Sequence, residues 1–367
     1  MSLLREGQMI GGTCEVERFL GEGAFAEVYR VRHRFLGRQA MKVFKAVGMT
    51  MEEMERMLFE AILLSRLSHP NIIHVFDADV TETSLGTSGF FTMEYVAGGT
   101  LEQFWRSHGT QFVPAEATVE IMRQVCRGLA VAHAENPPIV HRDIKPQNVL
   151  VGYDTSGLNA KVCDFGLAKQ VNPLTMLASA RGTRCFKAPE TILDWQNDSR
   201  AGDVWAIGST MYLLLTDRLP YSELGDDGTL DPRRFERPLI PPSRLNVQVD
   251  GGLDEIVFRT LDRRPDCRYQ TAAELLRDLN SWRPRLRSTK DRALSLGSSA
   301  ISKTALGVHS PADQEAAPRM IRKALRLAKG ARFADAADVM EEAFNEQPEL
   351  RTRYEYQVKL WRRGVAM

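Results

Sequence analysis

Residues 139–150, IVHRDIKPQNVL, crowd His141, Arg142, Asp143, Lys145 and Asn148 into eight positions between two apolar runs. The run NVLV that follows reads as a short buried strand. So many polar groups beside a buried strand demand a loop suspended between packed elements, where a rigid scaffold holds reactive groups still. Whatever fold the chain adopts must supply that scaffold on both sides of Asp143.

The rest of the sequence divides to provide it. Residues 10–45 alternate apolar and polar positions broken by glycine, the pattern of strands and a hairpin. In MTMEEMERMLFEAILLSRL, residues Met54, Met57, Leu58, Ala61, Ile62 and Leu64 share one broad helical face. NIIHVFDADV and GFFTMEYV read as two further strands. From Pro114 the chain turns mostly helical, with PAEATVEIMRQVCRGLAVAHA a long amphipathic helix, GDVWAIGSTMYLLLT a nearly all-apolar one and TAAELLRDLNSW a shorter one. The plan is a small strand-rich lobe and a larger helical lobe, joined near Val96 to Thr100. A length of 367 residues suits two or three domains.

Composition narrows the function classes. Hydrophobic residues make up 43% and charged residues 26%, the balance of a soluble globular protein. The 48 basic and 47 acidic residues leave a net charge of +1, which argues against a polyanion-binding protein. Cys14, Cys126, Cys163, Cys185 and Cys267 are scattered with no C-x-x-C pair, so neither a zinc site nor a disulfide framework is expected. A reducing cytoplasm is the simplest home. No signal peptide opens the chain, and the longest apolar stretch, Val204 to Leu215, is too short to span a bilayer.

After Trp282 the composition changes. RPRLRSTKDRALSLGSSAISKTALGVHSPADQEAA lacks aromatics and reads as a mobile tether, whose basic start is more simply a solvated segment than a nucleic-acid contact. Its serines and threonines are plausible autophosphorylation targets. Beyond Arg319, Ala324, Leu327, Phe333, Ala336, Met340, Ala343 and Pro348 are spaced like the small, large and proline positions of one tetratricopeptide repeat, or belong to an unrelated helical tail, and a helix with Tyr354 and Trp361 follows. One repeat and one helix do not bury their own faces, so this segment should dock on the body of the protein, on a second copy or on a partner.

GEGAFAEV, AMK, HRDIKPQN, DFG and APE occur in that order, and with them the chain resembles a eukaryotic-type Ser/Thr protein kinase of the bacterial kind over roughly residues 8–282. The resemblance implies an α+β, bilobal protein-kinase fold. Its N-lobe (8–96) is small and β-rich with one helix, and its C-lobe (97–282) is large and helical. A linker (283–317) and a C-terminal helical hairpin (318–367) follow. It also implies ATP and Mg2+ as cofactors and protein Ser/Thr hydroxyls as substrates.

Residue by residue, the resemblance carries over as follows. Gly21 and Gly23 let the backbone close over phosphates, since a side chain there would collide; the third glycine of the pattern is Ala26 here. Phe25 shields the phosphates, and Val28 and Ala40 sandwich the adenine. Lys42 neutralises the phosphates and is held by Glu60. Met93 is the gatekeeper, and Glu94, Tyr95 and Val96 form the hinge. Asp143 accepts, or orients, the proton of the substrate hydroxyl, Lys145 stabilises the moving phosphate, and Asn148 and Asp164 offer hard oxygen ligands to Mg2+. Arg142 pairs with a phosphate on the activation segment, for which Thr175 and Ser179 are the candidates. Thr183 shapes the substrate pocket, and Phe186 stands where many relatives carry tyrosine. Glu190 and Arg268 form a structural ion pair, and Asp203 holds the catalytic loop. Cys163 and Cys185 are either redox-sensitive or, more simply, buried small hydrophobes.

The expected activity is therefore ATP- and Mg2+-dependent protein Ser/Thr phosphorylation, with autophosphorylation of the activation segment. The C-terminal helices would serve regulation, a protein partner or a homodimer. The rival is a pseudokinase scaffold that binds nucleotide without transfer. It is disfavoured because Lys42, Glu60, Asp143, Asn148 and Asp164 are all present. A small-molecule kinase of related fold should lack the GT…APE segment that this chain has.

Overall fold

The computed structural model describes residues 2–23, 26–45, 52, 58–59, 65–109, 112–154, 157–165, 184–193, 197–221, 232–284 and 316–364. Phe25, Glu60, Thr175, Ser179, Thr183 and most of the tether lie outside the described residues.

The N-terminal lobe is an antiparallel sheet in the order β1-β2-β3-β4-β6-β5. Its strands are β1 (Met9–Ile10), β2 (Cys14–Glu22), β3 (Ala26–His33), β4 (Gly37–Phe44), β5 (Val75–Thr83) and β6 (Gly86–Glu94). The period of two assigns each face its task. Met41 and Val43 of β4 turn to the outer face, where Leu3, Leu4, Val16, Tyr29, Val31 and Phe90 bury them. Ala40 and Phe44 turn inward and join the large core shared with the helical lobe. Lys42 lies between those two on the inner side, so alternation alone aims its ammonium into the cleft. The register sets Lys42 opposite Val28 on β3 and Phe91 on β6, and Ala40 opposite Met93.

The C-terminal lobe is built on α1 (Leu101–Arg106), α2 (Ala115–Ala134), α3 (Pro189–Leu193), α4 (Arg200–Thr216), α5 (Gly251–Thr260) and α6 (Ala272–Ser281), with a hairpin of β7 (Val149–Asp154) and β8 (Gly157–Val162) facing the cleft. Thr100 caps α1 in a reciprocal capping box with Gln103. This places the turn into the helical lobe where the sequence suggested the junction. α4 is buried along almost its whole length, which explains why its sequence is apolar on every side. Ser199 caps its start by accepting from the Gly202 N–H. Among the described residues no helix is long and apolar enough to cross a membrane.

Helical structure resumes at Ala316, two residues inside the stretch read as tether. The three helices are α7 (Ala316–Lys329), α8 (Phe333–Glu346) and α9 (Leu350–Arg362). Ala324, Ala336, Met340, Phe344, Val358 and Trp361 pack together around Tyr153 of β7. Of the docking sites open to this segment, it takes the body of its own chain. Burying a side chain such as Phe344 contributes about 2 kcal/mol, so a handful of such contacts seats the helices.

Candidate active site

The loop holding Asp143 is positioned from below by one carboxylate. Asp203, in the first turn of α4, accepts the backbone N–H of His141 at 2.7 Å and that of Arg142 at 2.8 Å, and lies 3.0 Å from His133 Nε2. Burial alone would push this carboxyl up. The hydrogen bond and charge of His133, with contributions from His141, outweigh it and hold the group below the ordinary carboxylate value. Arg142 has a positive φ of 68°, a conformation that costs a non-glycine residue free energy and persists only where neighbours over-determine it. The two hydrogen bonds from Asp203 to consecutive N–H groups supply that constraint.

His141 is wholly buried and packs against Phe165, the rings tilted by 38° with centres 4.5 Å apart. Its Nδ1 accepts from the Asp143 N–H at 3.2 Å, and its Nε2 lies 3.0 Å from the Cys163 carbonyl. That pattern needs a neutral ring protonated on Nε2. Burial pulls its pKa down in agreement, against the pull of Asp203 and Asp143. His141 is thus a strut between the catalytic loop and the segment carrying Asp164.

Above this strut the polar side chains converge. Lys145 Nζ lies 3.0 Å from Asp143 Oδ2. Asn148 donates its amide to the Asp143 carbonyl at 2.8 Å and to Asp143 Oδ2 at 3.0 Å. From the other lobe, Lys42 Nζ reaches Asp164 Oδ1 at 2.8 Å. Asp164 itself has a positive φ of 57°. Two lysines, two aspartates and one asparagine from three chain segments meet at the mouth of the cleft. Gly21 faces Val28 in register at the roof, and Gly23 closes its turn by donating to the Ala26 carbonyl at 2.8 Å.

The donor set fits Mg2+. Asn148 commits its nitrogen to Asp143, so the amide end left for a ligand is Oδ1, and Asp164 contributes a carboxylate. Among the described residues no three His, Cys, Asp or Glu side chains gather into a self-sufficient metal cage. A pair of oxygen donors completed by phosphate and water suits this ion.

Comparison with known proteins agrees with this geometry. Residues 14–297 match the family described as protein kinase domain. The chain belongs to the protein kinase family. A probable serine/threonine-protein kinase of Clostridium perfringens is 32% identical over 278 residues, covering 74% of this chain and 38% of that protein. The serine/threonine-protein kinase PknB of Mycobacterium leprae is 34% identical over 272 residues, covering 72% of this chain and 42% of that protein. The chain therefore spans about two fifths of the length of these curated relatives. Among solved structures, the PknI kinase domain of Mycobacterium tuberculosis superposes with a TM-score of 0.57 at 25% identity, covering 76% of this chain and 98% of that domain.

Between α3 and the segment before α6, Glu190 and Arg268 form a two-pronged ion pair. A cleft between the catalytic loop and α3 is lined by Arg142, Asp143, Phe186, Lys187, Thr191 and Asp198. Asp198 was not singled out from the sequence, yet it pairs with Lys187 at 3.2 Å and Arg142 at 3.8 Å. Burial pushes its carboxyl up despite Lys187. Cys163 is buried, and Cys185 is half-buried with its thiol raised by burial against the pull of Arg234.

The segment 94–96 also holds a pair that sequence reasoning missed. Glu94 bonds Lys161 of β8 at 3.0 Å, and the Glu94 N–H donates to the His74 carbonyl at 2.9 Å. Met93, just before it, is buried against the core.

Proposed function

We propose that this protein transfers the γ-phosphate of ATP to serine or threonine hydroxyls of proteins, including its own activation segment. The convergence of Lys42, Asp164, Asp143, Lys145 and Asn148 carries this reading. Val28, Ala40 and Met93 would hold the adenine apolar faces, and the Glu94 carbonyl and Val96 N–H its polar edge. Lys42 would balance phosphate charge, with Glu60 as its further anchor, and Gly21, Gly23 and Phe25 would cover the phosphates. Asn148 Oδ1 and the Asp164 carboxylate would hold Mg2+, which when bound would supply neutralisation of phosphate charge. Asp143 would accept a hydrogen bond from the substrate hydroxyl and fix its direction, while Lys145 beside it would meet the charge of the group in transfer. Arg142 would receive a phosphate placed on Thr175 or Ser179, and Thr183 would shape the peptide pocket.

The division into a kinase domain over 8–282, a tether over 283–317 and a repeat-like helical module over 318–367 belongs to the same proposal. The module is assigned to regulation, because its apolar face and its acids are already engaged by the two lobes. Protein substrates are the expected partners, and a cytoplasmic location fits the unpaired cysteines. The deciding experiment incubates the full chain with radiolabelled ATP and Mg2+, alone and with a generic basic protein, beside an Asp143→Asn control. Label on serine or threonine in the wild type and not in the control supports transfer. ATP binding without any transfer supports the scaffold instead.

A further inference from the structure

β2 and β3 pair so that Arg18 and Arg30 face each other directly. Like charges in register across a sheet repel. Arg32 and Arg38 extend the basic stripe, and the sheet itself answers with Glu17, which lies 2.6 Å from Arg30, 2.7 Å from Arg32 and 3.5 Å from Arg38. Further acid comes from the other end of the sequence. Asp335, Asp338 and Glu342 recur at spacings of three and four, so they share one face of α8. Asp338 reaches Arg38 at 3.3 Å and Asp335 reaches it at 3.8 Å. Glu342, almost wholly buried, pairs with Arg30, lies 3.4 Å from Arg18, and accepts the Tyr95 hydroxyl at 2.6 Å.

The same helices hold the lower lobe. Tyr153 donates its hydroxyl to Glu355, with Lys359 5.4 Å over its ring, and the Arg351 guanidinium lies 4.5 Å over Phe104. The seat is cut for this approach. A Cβ on Gly98 would collide with the Val151 carbonyl and stand 3.0 Å from Glu341 Oε2, and one on Gly152 would stand 3.0 Å from Val96 and 3.4 Å from the same oxygen. Side chains at those two points would hold α8 away from the hinge.

We propose that Glu342 is a positioning residue for nucleotide binding: the C-terminal helices clasp both lobes from behind, and this carboxylate ties the Tyr95 hinge to the β2–β3 hairpin that carries Gly21 and Val28. The inference rests on the kinase reading of the cleft. Tyr95 lies between Glu94 and Val96, whose backbone would meet the adenine edge. Arg30 projects from the same face of β3 as Val28, two residues earlier. One anchor thus sets the spacing of hinge and roof, the two walls between which the adenine would slide. Burial and Glu342 push the Tyr95 hydroxyl far up, so it remains a donor at any physiological pH. Burial would pull the Arg30 guanidinium down, but Glu342, Tyr95 and Glu17 outweigh it, so the cation is fixed as well.

The test measures ATP binding to the full chain with Mg2+ by calorimetry, beside steady-state KM and kcat. Glu342→Ala should weaken ATP binding and raise the KM for ATP by at least about fivefold, with kcat little changed. Glu342→Gln, which keeps an acceptor for Tyr95, should lie between wild type and Glu342→Ala. Tyr95→Phe removes a single oxygen from the hinge and should weaken binding in the same direction; it carries the test if Glu342→Ala does not fold. ATP affinity unchanged or tightened in the folded variants, even with a lower melting temperature, would leave Glu342 a purely structural residue and overturn the proposal. Binding needs no turnover, so absence of transfer by the wild type sinks the catalytic reading and leaves this one standing on its own measurement.

Discussion

Arg268 grips Glu190 through two hydrogen bonds, 2.7 and 2.9 Å long, although the two residues are 78 positions apart. The guanidinium is fully buried, lies 4.8 Å over the Trp205 ring, and also donates to the carbonyls of Asp262, Arg263 and Ala201. Every donor it turns toward α3 is therefore answered. Removing the carboxylate leaves a buried cation without its counter-charge, which costs about 3–5 kcal/mol. Glu190→Gln should lower the denaturation midpoint of the full chain by that order, and Arg268→Lys should do much the same because an ammonium does not span both oxygens. Urea or thermal melts check this. A loss under about 0.5 kcal/mol would mean that the pair is dispensable.

Asp203 offers a second, separable outcome. Its oxygens receive two consecutive backbone N–H groups at the strained Arg142. In Asp203→Asn one acceptor oxygen becomes a donor nitrogen facing an N–H group, so the catalytic loop loses its brace. Misplacing Asp143 by about 1 Å is enough to cost on the order of a hundredfold in rate. The expected result is a kcat lower by that order with ATP affinity nearly retained, since Lys42 and the hinge do not touch Asp203. Kinetics and calorimetry on one preparation distinguish this from global unfolding, which would remove binding too.

These elements differ in how far the sequence announced them. The catalytic loop is legible through family resemblance, because the five motifs occur in order; its polar cluster alone also reads as a solvated turn. The inward aim of Lys42 follows from strand alternation once β4 is recognised. Glu190 and Arg268 are legible through family resemblance, since nothing local says that residues so distant will meet. The strand β8 and the helix α5 were not assigned, the first because GLNAKV is short and polar, the second because its start is Gly-Gly, which propensity disfavours. The contact between Tyr95 and Glu342 was the least visible. The acids of α8 have the spacing of an ordinary solvated helix face, and only the docked structure shows that three arginines of the sheet, Arg18, Arg30 and Arg38, meet them. Propensity is local and charge complementarity between distant segments is not, so the polar cluster around Asp143 could be read in outline while the ion pairs between α8 and the sheet could not.

Glu341 gives the docked helices a pH dependence with a definite sign. The side chain is almost fully buried beside Gly98 and Gly152, and its Oε1 accepts from Arg362 Nε at 3.2 Å and Nη2 at 3.1 Å, while its Oε2 has no hydrogen-bond partner. Burial pushes its pKa from 4.5 up to about 7, against Arg362 and Arg351 and with help from Asp338. The native state therefore binds this proton more tightly than the unfolded chain does. Its stabilising contribution is complete below the ordinary carboxyl range and is lost as pH rises through about 7, a swing on the order of 3 kcal/mol. Glu341→Gln is neutral at every pH and should remove that part of the slope. Wild type and variant should melt at similar temperatures near pH 5, and the variant should melt higher near pH 8, the difference growing across about the range between. Parallel melting curves at all pH values would show that the carboxyl stays ionised in its seat, with Arg362 and Arg351 compensating it in full.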